Sequence, residues 1–185
     1  AYHRRQRQMC IRDRVNSVPE SKIILYNFEK LCGYKFSTNC VQELAKIFPK
    51  NIIGVKDSSY NLYKDLKIKD FSILPGSELK LLSGLEIGCS GIITATCNVT
   101  AELSRKVYDD FFNNVTQTAN NKLCEVRKTF DQFNLISGLH SFLKENDSDY
   151  TNILPTLSLL DPKDEKILFN KLRALDFPAK KNVAA

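Results

Sequence analysis

Four short apolar runs recur along this chain at a near-regular interval, separated by stretches patterned as helices. They are Lys22-Ile23-Ile24-Leu25-Tyr26-Asn27, Asn51-Ile52-Ile53-Gly54-Val55-Lys56, Ser72-Ile73-Leu74-Pro75 and the segment 91–96, whose apolar part is Ile92-Ile93-Thr94-Ala95-Thr96. The second run starts about 28 residues after the first, and each later run about 20 after the one before. Each has strand length and β-branched content, and most are bounded by Pro, Gly or polar residues. Strands alternating with helices at this spacing mean βα units and a parallel sheet. Two architectures satisfy that: an open doubly wound sheet, or half of an eight-stranded barrel. No GxGxxG follows the first run and no GxxxxGK[ST] occurs, so nucleotide-binding versions of the open sheet lose support.

The intervening segments carry their own signals. Ser37 or Thr38 caps a helix reaching about Phe48, with Val41, Leu44, Ala45 and Phe48 at helical spacing and Pro49 ending it. A short helix is expected over Asn61–Ile68 and another over Leu79–Ile87. Further helices are expected from Thr100 to Phe112, from Thr116 to Leu143 as one long amphipathic element, and from Pro162 to Leu175. Residues 28–37 read as a loop, and Val15–Ser21, with Pro19, as a linker.

Net charge of +6 invites a nucleic-acid partner, but its source argues otherwise. Residues 1–14 hold five arginines against one aspartate and no lysine, leaving +2 for the other 171 residues. Five of the eight arginines lie there, whereas all nineteen lysines come from Lys22 onward. The break marks residues 1–14 as a non-native Arg-rich leader, the alternative being a basic arm. The domain itself shows no basic stripe with interleaved aromatics, so no nucleic-acid partner is expected. No apolar run approaches a membrane span, and no membrane partner is expected either. Six cysteines lie outside any CxxC or Cys/His ligand spacing, which reads as buried free thiols in a reducing compartment and no metal site. Three Asn-x-Ser/Thr sequons, at Asn98, Asn114 and Asn146, read as chance matches.

Chemistry concentrates at the ends of the runs. Lys56 closes a buried strand just before the polar Asp57-Ser58-Ser59, and an amine that loses hydration there can attack a carbonyl. The competing role is a lysine that snorkels to water. Tyr26, Gly76 and Thr94 also sit at or just past run ends, and in a barrel the carboxyl ends of the strands are where chemistry is done.

The segments ILYNFEKLCG (24–33), NIIGVKDSS (51–59), ILPGSE (73–78) and GCSGIITATCNV (88–99) resemble the second half of the dihydrodipicolinate synthase / N-acetylneuraminate lyase family. The likeness continues more loosely through ILPTLSLLDPKDEKILFNKLRALDF near the end of the chain. The family consists of class I, Schiff-base aldolases on a TIM (β/α)8 barrel. The resemblance implies that residues 15–112 form the last four βα units and 113–185 a helical extension. It implies that Lys56 forms an imine with pyruvate or another 2-oxo acid, and that Tyr26 relays protons. By the same resemblance Ser58, Gly76, Ser77, Glu78 and Thr94 line the substrate pocket, and the backbone carbonyl of Ile93 faces it. The partners implied are a 2-oxo acid and an aldehyde, with no metal and no organic cofactor, in a cytoplasmic homo-oligomer, by resemblance a tetramer.

Two departures shape the expectation. Where the synthase branch has a carboxylate-binding arginine, this sequence has Leu31 beside Lys30, and neither supplies a bidentate fork. That favours an aldolase of 2-keto-3-deoxy sugar acids over dihydrodipicolinate synthase proper. The family's first four βα units, with the loop that holds the pyruvate carboxylate, have no counterpart here, so this chain alone is expected to be inactive or weak. A non-catalytic barrel relative serving as a binding module is the alternative, against which the joint presence of Lys56 and Tyr26 counts.

Overall fold

The computed structural model describes residues 2–177 and 179, with side chains from residue 9 onward. The chain divides into two compact units, one holding residues up to 76 together with 83–93, the other 77–82 together with 94 onward. In chain order the elements are α1 (Tyr2–Ser17), β1 (Ile23–Asn27), α2 (Glu29–Cys32), α3 (Thr38–Ile47), β2 (Ile52–Asp57) and β3 (Ser72–Pro75). A 3-10 turn (Glu78–Lys80) leads into α4 (Leu81–Glu86). Then come α5 (Cys97–Phe112), α6 (Asn120–Phe130), α7 (Leu135–Leu143), a second 3-10 turn (Ser148–Thr151) and α8 (Pro162–Ala174).

The first unit is a three-stranded parallel sheet in the order β1-β2-β3. Parallel neighbours need a crossover, and α3 supplies the one from β1 to β2. Its amino end is capped as expected, the Ser37 hydroxyl accepting the Cys40 N–H at 3.2 Å. Val41, Leu44 and Ala45 form the buried stripe, packed with Leu25, Ile52, Val55, Leu62, Leu66 and Ile73. Each fully buried aliphatic side chain in such a core contributes roughly 1.5–3 kcal/mol.

The second unit is helical. Val126, Phe130, Leu139, Phe142, Leu168 and Leu172 make its core. Pro162 occupies the first turn of α8, with Asp161 accepting the N–H groups of Lys163 and Asp164. No helix among the described residues is long and apolar enough to cross a membrane.

Several expected elements differ. The segment 91–96 is not a strand. Ser90 and Ile93 donate their N–H groups to the carbonyls of Ile73 and Pro75. Three residues therefore advance on one side against two on the other, out of step for a parallel ladder. Gly91 (φ +142°) marks the kink. No helix forms over Asn61–Ile68: Tyr60 adopts a left-handed φ of +56°, the Asp57 carboxylate caps the N–H groups of Leu62 and Tyr63, and the turn stops after Leu66 donates to the Leu62 carbonyl. The long helix over Thr116–Leu143 is two helices. α6 ends at Phe130, and Asn134 restarts the chain by accepting the Ser137 N–H. The loop after β1 contains the one-turn α2, and α1 occupies part of the expected linker. Of the six free cysteines, Cys40 and Cys89 are buried while Cys10 and Cys32 are exposed. Burial raises the thiol pKa of Cys89, Cys97 and Cys124.

Candidate active site

The strand period of two divides β1 and β2 into faces with different jobs. Leu25, Asn27, Val55 and Asp57 point into the core. Ile24, Tyr26 and Lys56 lie on the opposite, half-exposed face. Tyr26 pairs with Lys56 in the parallel register, and Asn27 with Asp57 one step on. The Lys56 ammonium lies over the Tyr26 ring, 4.3 Å from its centroid, with Tyr26 39% exposed. A cation over an aromatic face is an attractive geometry that orients the flexible lysine stem. The amine is thus held at the carboxyl end of the sheet, half-buried and beside a phenol.

Beneath this face is a polar network that the sequence reading did not single out. Asn27 and Asp57 are both 0% exposed. The Asn27 side-chain amide donates to Asp57 Oδ1 (2.7 Å) and to Asn61 Oδ1 (2.9 Å), while its oxygen accepts the Phe36 N–H (2.9 Å). Asp57 Oδ2 accepts from Leu62 N–H (2.8 Å) and Tyr63 N–H (3.0 Å). The Asn27 carbonyl takes the N–H groups of both Ser58 and Ser59. Every polar atom of the buried pair that faces the core finds a partner, as burial demands. The sequence signal was period two itself. A polar residue one step beyond Tyr26 or Lys56 must point to the core face.

Ser58, Gly76 and Ile93 belong to the same unit as Lys56. A Cβ on Gly76 would sit 2.2 Å from the Ser58 hydroxyl and 3.1 Å from its Cα, so only glycine permits that approach of the two loops. Gly76→Ala is expected to cost about 1–3 kcal/mol in urea unfolding, with partial recovery when Ser58→Gly removes the obstructing side chain. Equal stability of Gly76→Ala and wild type would contradict that packing. Ile93 is exposed and held to the end of β3 through its own N–H. Leu31, at the position where an arginine was sought, is 74% exposed on α2.

Ser77, Glu78 and Thr94 lie in the second unit. Ser77 is buried and its hydroxyl accepts the Leu79 N–H. Glu78 is 0% exposed. One of its oxygens accepts from Arg127 Nη1 (2.8 Å), Thr94 Oγ1 (3.1 Å) and Thr96 Oγ1 (3.2 Å), the other from Thr100 Oγ1 (3.0 Å). Thr94 Oγ1 also accepts from Arg127 Nη1 and from the Thr96 N–H, which uses the full capacity of a hydroxyl. Burial works against the Arg127 charge, and Glu78 with Asp131 outweighs it, holding the guanidinium above its ordinary pKa. Arg127 was not singled out from sequence, although it interrupts the apolar stripe Leu123, Val126, Phe130 of α6.

Parallel strands with an amine and a phenol at their carboxyl ends define a βα protein of the kind that builds its chemistry at one end of a sheet. Residues 3–171 match the dihydrodipicolinate synthetase family, and the chain belongs to it. Over 83 residues it is 37% identical to the 4-hydroxy-tetrahydrodipicolinate synthase of Shigella dysenteriae serotype 1, an alignment covering 42% of this chain and 28% of that protein. It shares the fold of dihydrodipicolinate synthase from Cyanidioschyzon merolae, solved with lysine bound (TM-score 0.82, 15% identity, 94% of this chain and 61% of that one). It also shares the fold of a 2-keto-3-deoxygluconate aldolase variant from Sulfolobus solfataricus (TM-score 0.67, 19% identity, 84% and 54%). The chain therefore spans little more than half of these solved relatives, and less of the curated one.

Proposed function

We propose that this chain carries the imine-forming part of a pyruvate-dependent class I aldolase on a TIM barrel, of which it supplies the later βα units. The observation that carries the reading is the Lys56 amine held over the Tyr26 ring at the carboxyl ends of adjacent parallel strands. Family membership supports it, and the name of the Sulfolobus relative supports the aldolase branch.

In the reaction the neutral Lys56 amine attacks the keto carbon of a 2-oxo acid such as pyruvate, forming a C–N bond. Two proton transfers expel the carbonyl oxygen as water and leave a protonated imine. When a C–C bond of the substrate breaks, its electron pair flows into that imine to give an enamine and releases an aldehyde; condensation is the reverse. Tyr26 relays the protons at the departing oxygen and at the aldol hydroxyl. Ser58, Gly76 and Ile93 are the proposed pocket positions on the Lys56 unit; Ser77, Glu78 and Thr94, proposed by resemblance, belong to the other unit. The polar atoms of Glu78 and Thr94 are engaged within the protein.

The similarity to a curated synthase favours a second reading, dihydrodipicolinate synthase proper. An exposed leucine at position 31 counts against it, because no guanidinium is available there.

Borohydride reduction in the presence of pyruvate tests the proposal. A stable adduct is expected, and peptide mapping should place it on Lys56. An adduct spread over surface lysines, or no adduct either on this chain or after four upstream βα units of the family are restored to it, would remove the imine from the reading. Tyr26→Phe should slow adduct formation by about 10²–10⁴-fold with the thermal midpoint little changed, the range for a lost acid–base group. An unaltered rate would exclude the phenol from the chemistry.

A further inference from the structure

The two functional side chains are each followed by a buried polar residue, and the two pairs stand back to back. Tyr26 and Lys56 face each other across the half-exposed side of β1 and β2; Asn27 and Asp57, one register step on, are joined at 2.7 Å on the core side. We infer that Asp57, through Asn27, is the positioning residue for Lys56. Its carboxylate fixes the register of the two strand ends and so places the amine over the tyrosine. The catalytic consequence rests on the imine reading above; the geometric one does not.

The connectivity explains why Asp57 has this authority. Its Oδ1 is bound to β1 through Asn27, and its Oδ2 to the chain after β2 through the N–H groups of Leu62 and Tyr63. Its backbone carbonyl accepts the Gly76 N–H, which ties in the end of β3. Asn27 extends the grip through Asn61 and Phe36, and Asn61 itself donates to the Phe36 carbonyl at 2.9 Å. All three strand ends thus meet at one residue directly beside the reactive lysine, β1 and the chain after β2 through its carboxylate and β3 through its backbone carbonyl. Donor bonds to a buried carboxylate are among the stronger ones available. The Asp57 carboxylate is buried on the core side, opposite the face that carries Lys56 and Tyr26, so its effect passes through the placement of those side chains.

Asp57→Asn makes the inference testable. The substituted amide has one oxygen for the Leu62 and Tyr63 donors, and its nitrogen then confronts the Asn27 nitrogen, donor against donor. The exchange Asn27→Asp with Asp57→Asn restores a donor facing an acceptor across the strands, at the expense of the Asn61 contact. Two readouts are taken on the whole chain below its melting transition. One is the rate of pyruvate–borohydride adduct formation on Lys56. The other, which needs no chemistry, is the upfield ring-current shift that the Tyr26 ring imposes on the Lys56 ε-methylene protons. Asp57→Asn is expected to slow trapping by about 10–100-fold, the size of loss that a displacement near 1 Å brings. It should also diminish the ring-current shift, and the exchanged pair should recover part of both.

A chain that fails to trap in wild type yet shows the shift, its loss and its recovery would overturn the aldolase reading and leave the positioning role standing. Wild-type trapping and shift in Asp57→Asn would overturn the positioning role. So would a loss that follows only the unfolded fraction by circular dichroism, with no recovery in the exchanged pair.

Discussion

Replacing Lys56 by alanine is expected to abolish pyruvate adduct formation and to reduce any lyase turnover by an amount on the order of 10⁶-fold. That is the size of loss seen when a covalent nucleophile is removed from a catalytic unit. An imine needs an amine nitrogen at the keto carbon, and Tyr26 has no nitrogen to offer. Lys56→Arg separates the two contributions of the side chain. Arginine keeps a cation over the Tyr26 ring, so the contact at the strand ends survives, but its delocalised guanidinium stays protonated and does not condense with a ketone. The alanine and arginine variants should therefore be equally inert in trapping while differing in their effect on the environment of Tyr26. The measurement is intact mass after borohydride reduction with pyruvate, followed by turnover with candidate 2-keto-3-deoxy acids. Retention of wild-type adduct in either variant would mean that another lysine does the work.

Lys56 is legible in the sequence and Asp57 is not, and the reason lies in what local sequence encodes. A β-branched run ending in lysine announces both the strand and the odd placement of an amine at its end. The next residue, an aspartate before two serines, looks like the beginning of a loop. Only the pairing of β1 with β2 turns it into a buried acceptor opposite Asn27. The same divide separates the elements. β1, β2, β3, α3 and α8 have their apolar pattern and their caps within a few residues, so they were readable from the chain alone. The turns over Asn61–Ile68 have helical spacing at Leu62 and Leu66, and one helical bond does close between them, but the chain does not continue it into a helix. Ile92–Thr96 has strand composition, but strand identity depends on hydrogen bonds staying in step with a neighbour, which composition cannot report. The break between α6 and α7 has neither Gly nor Pro; it rests on Asn134 acting as a cap, a role asparagine fills in many places where no helix starts. Glu78 and Thr94 were assigned to a pocket by position, and the arginine 49 residues beyond Glu78 that engages them was out of reach of any local pattern.

That arginine carries the second large effect. Arg127→Ala is expected to destabilise the helical unit by about 3–5 kcal/mol, because it leaves the buried Glu78 carboxylate without its cation. The Glu78 side chain is wholly inaccessible, and water cannot reach it to compensate. The three threonine hydroxyls that also donate to it, from Thr94, Thr96 and Thr100, solvate the charge only in part. The ion pair as a whole need not stabilise the unit, since burying two charges costs much of what their attraction returns. A cycle separates these contributions. Arg127→Met alone should be as harmful as the alanine change, while Arg127→Met with Glu78→Gln should recover most of the loss, the amide oxygen still accepting from the threonines. Urea unfolding of the four proteins gives the coupling directly from the midpoints at constant slope. A single-variant cost below about 1 kcal/mol, the range of exposed pairs, would show that Glu78 reaches solvent after all. Additive effects in the double variant would show that the two side chains do not depend on each other. The expected non-additivity would mark Arg127 and Glu78 as one unit, to both of which the Thr94 hydroxyl is bonded.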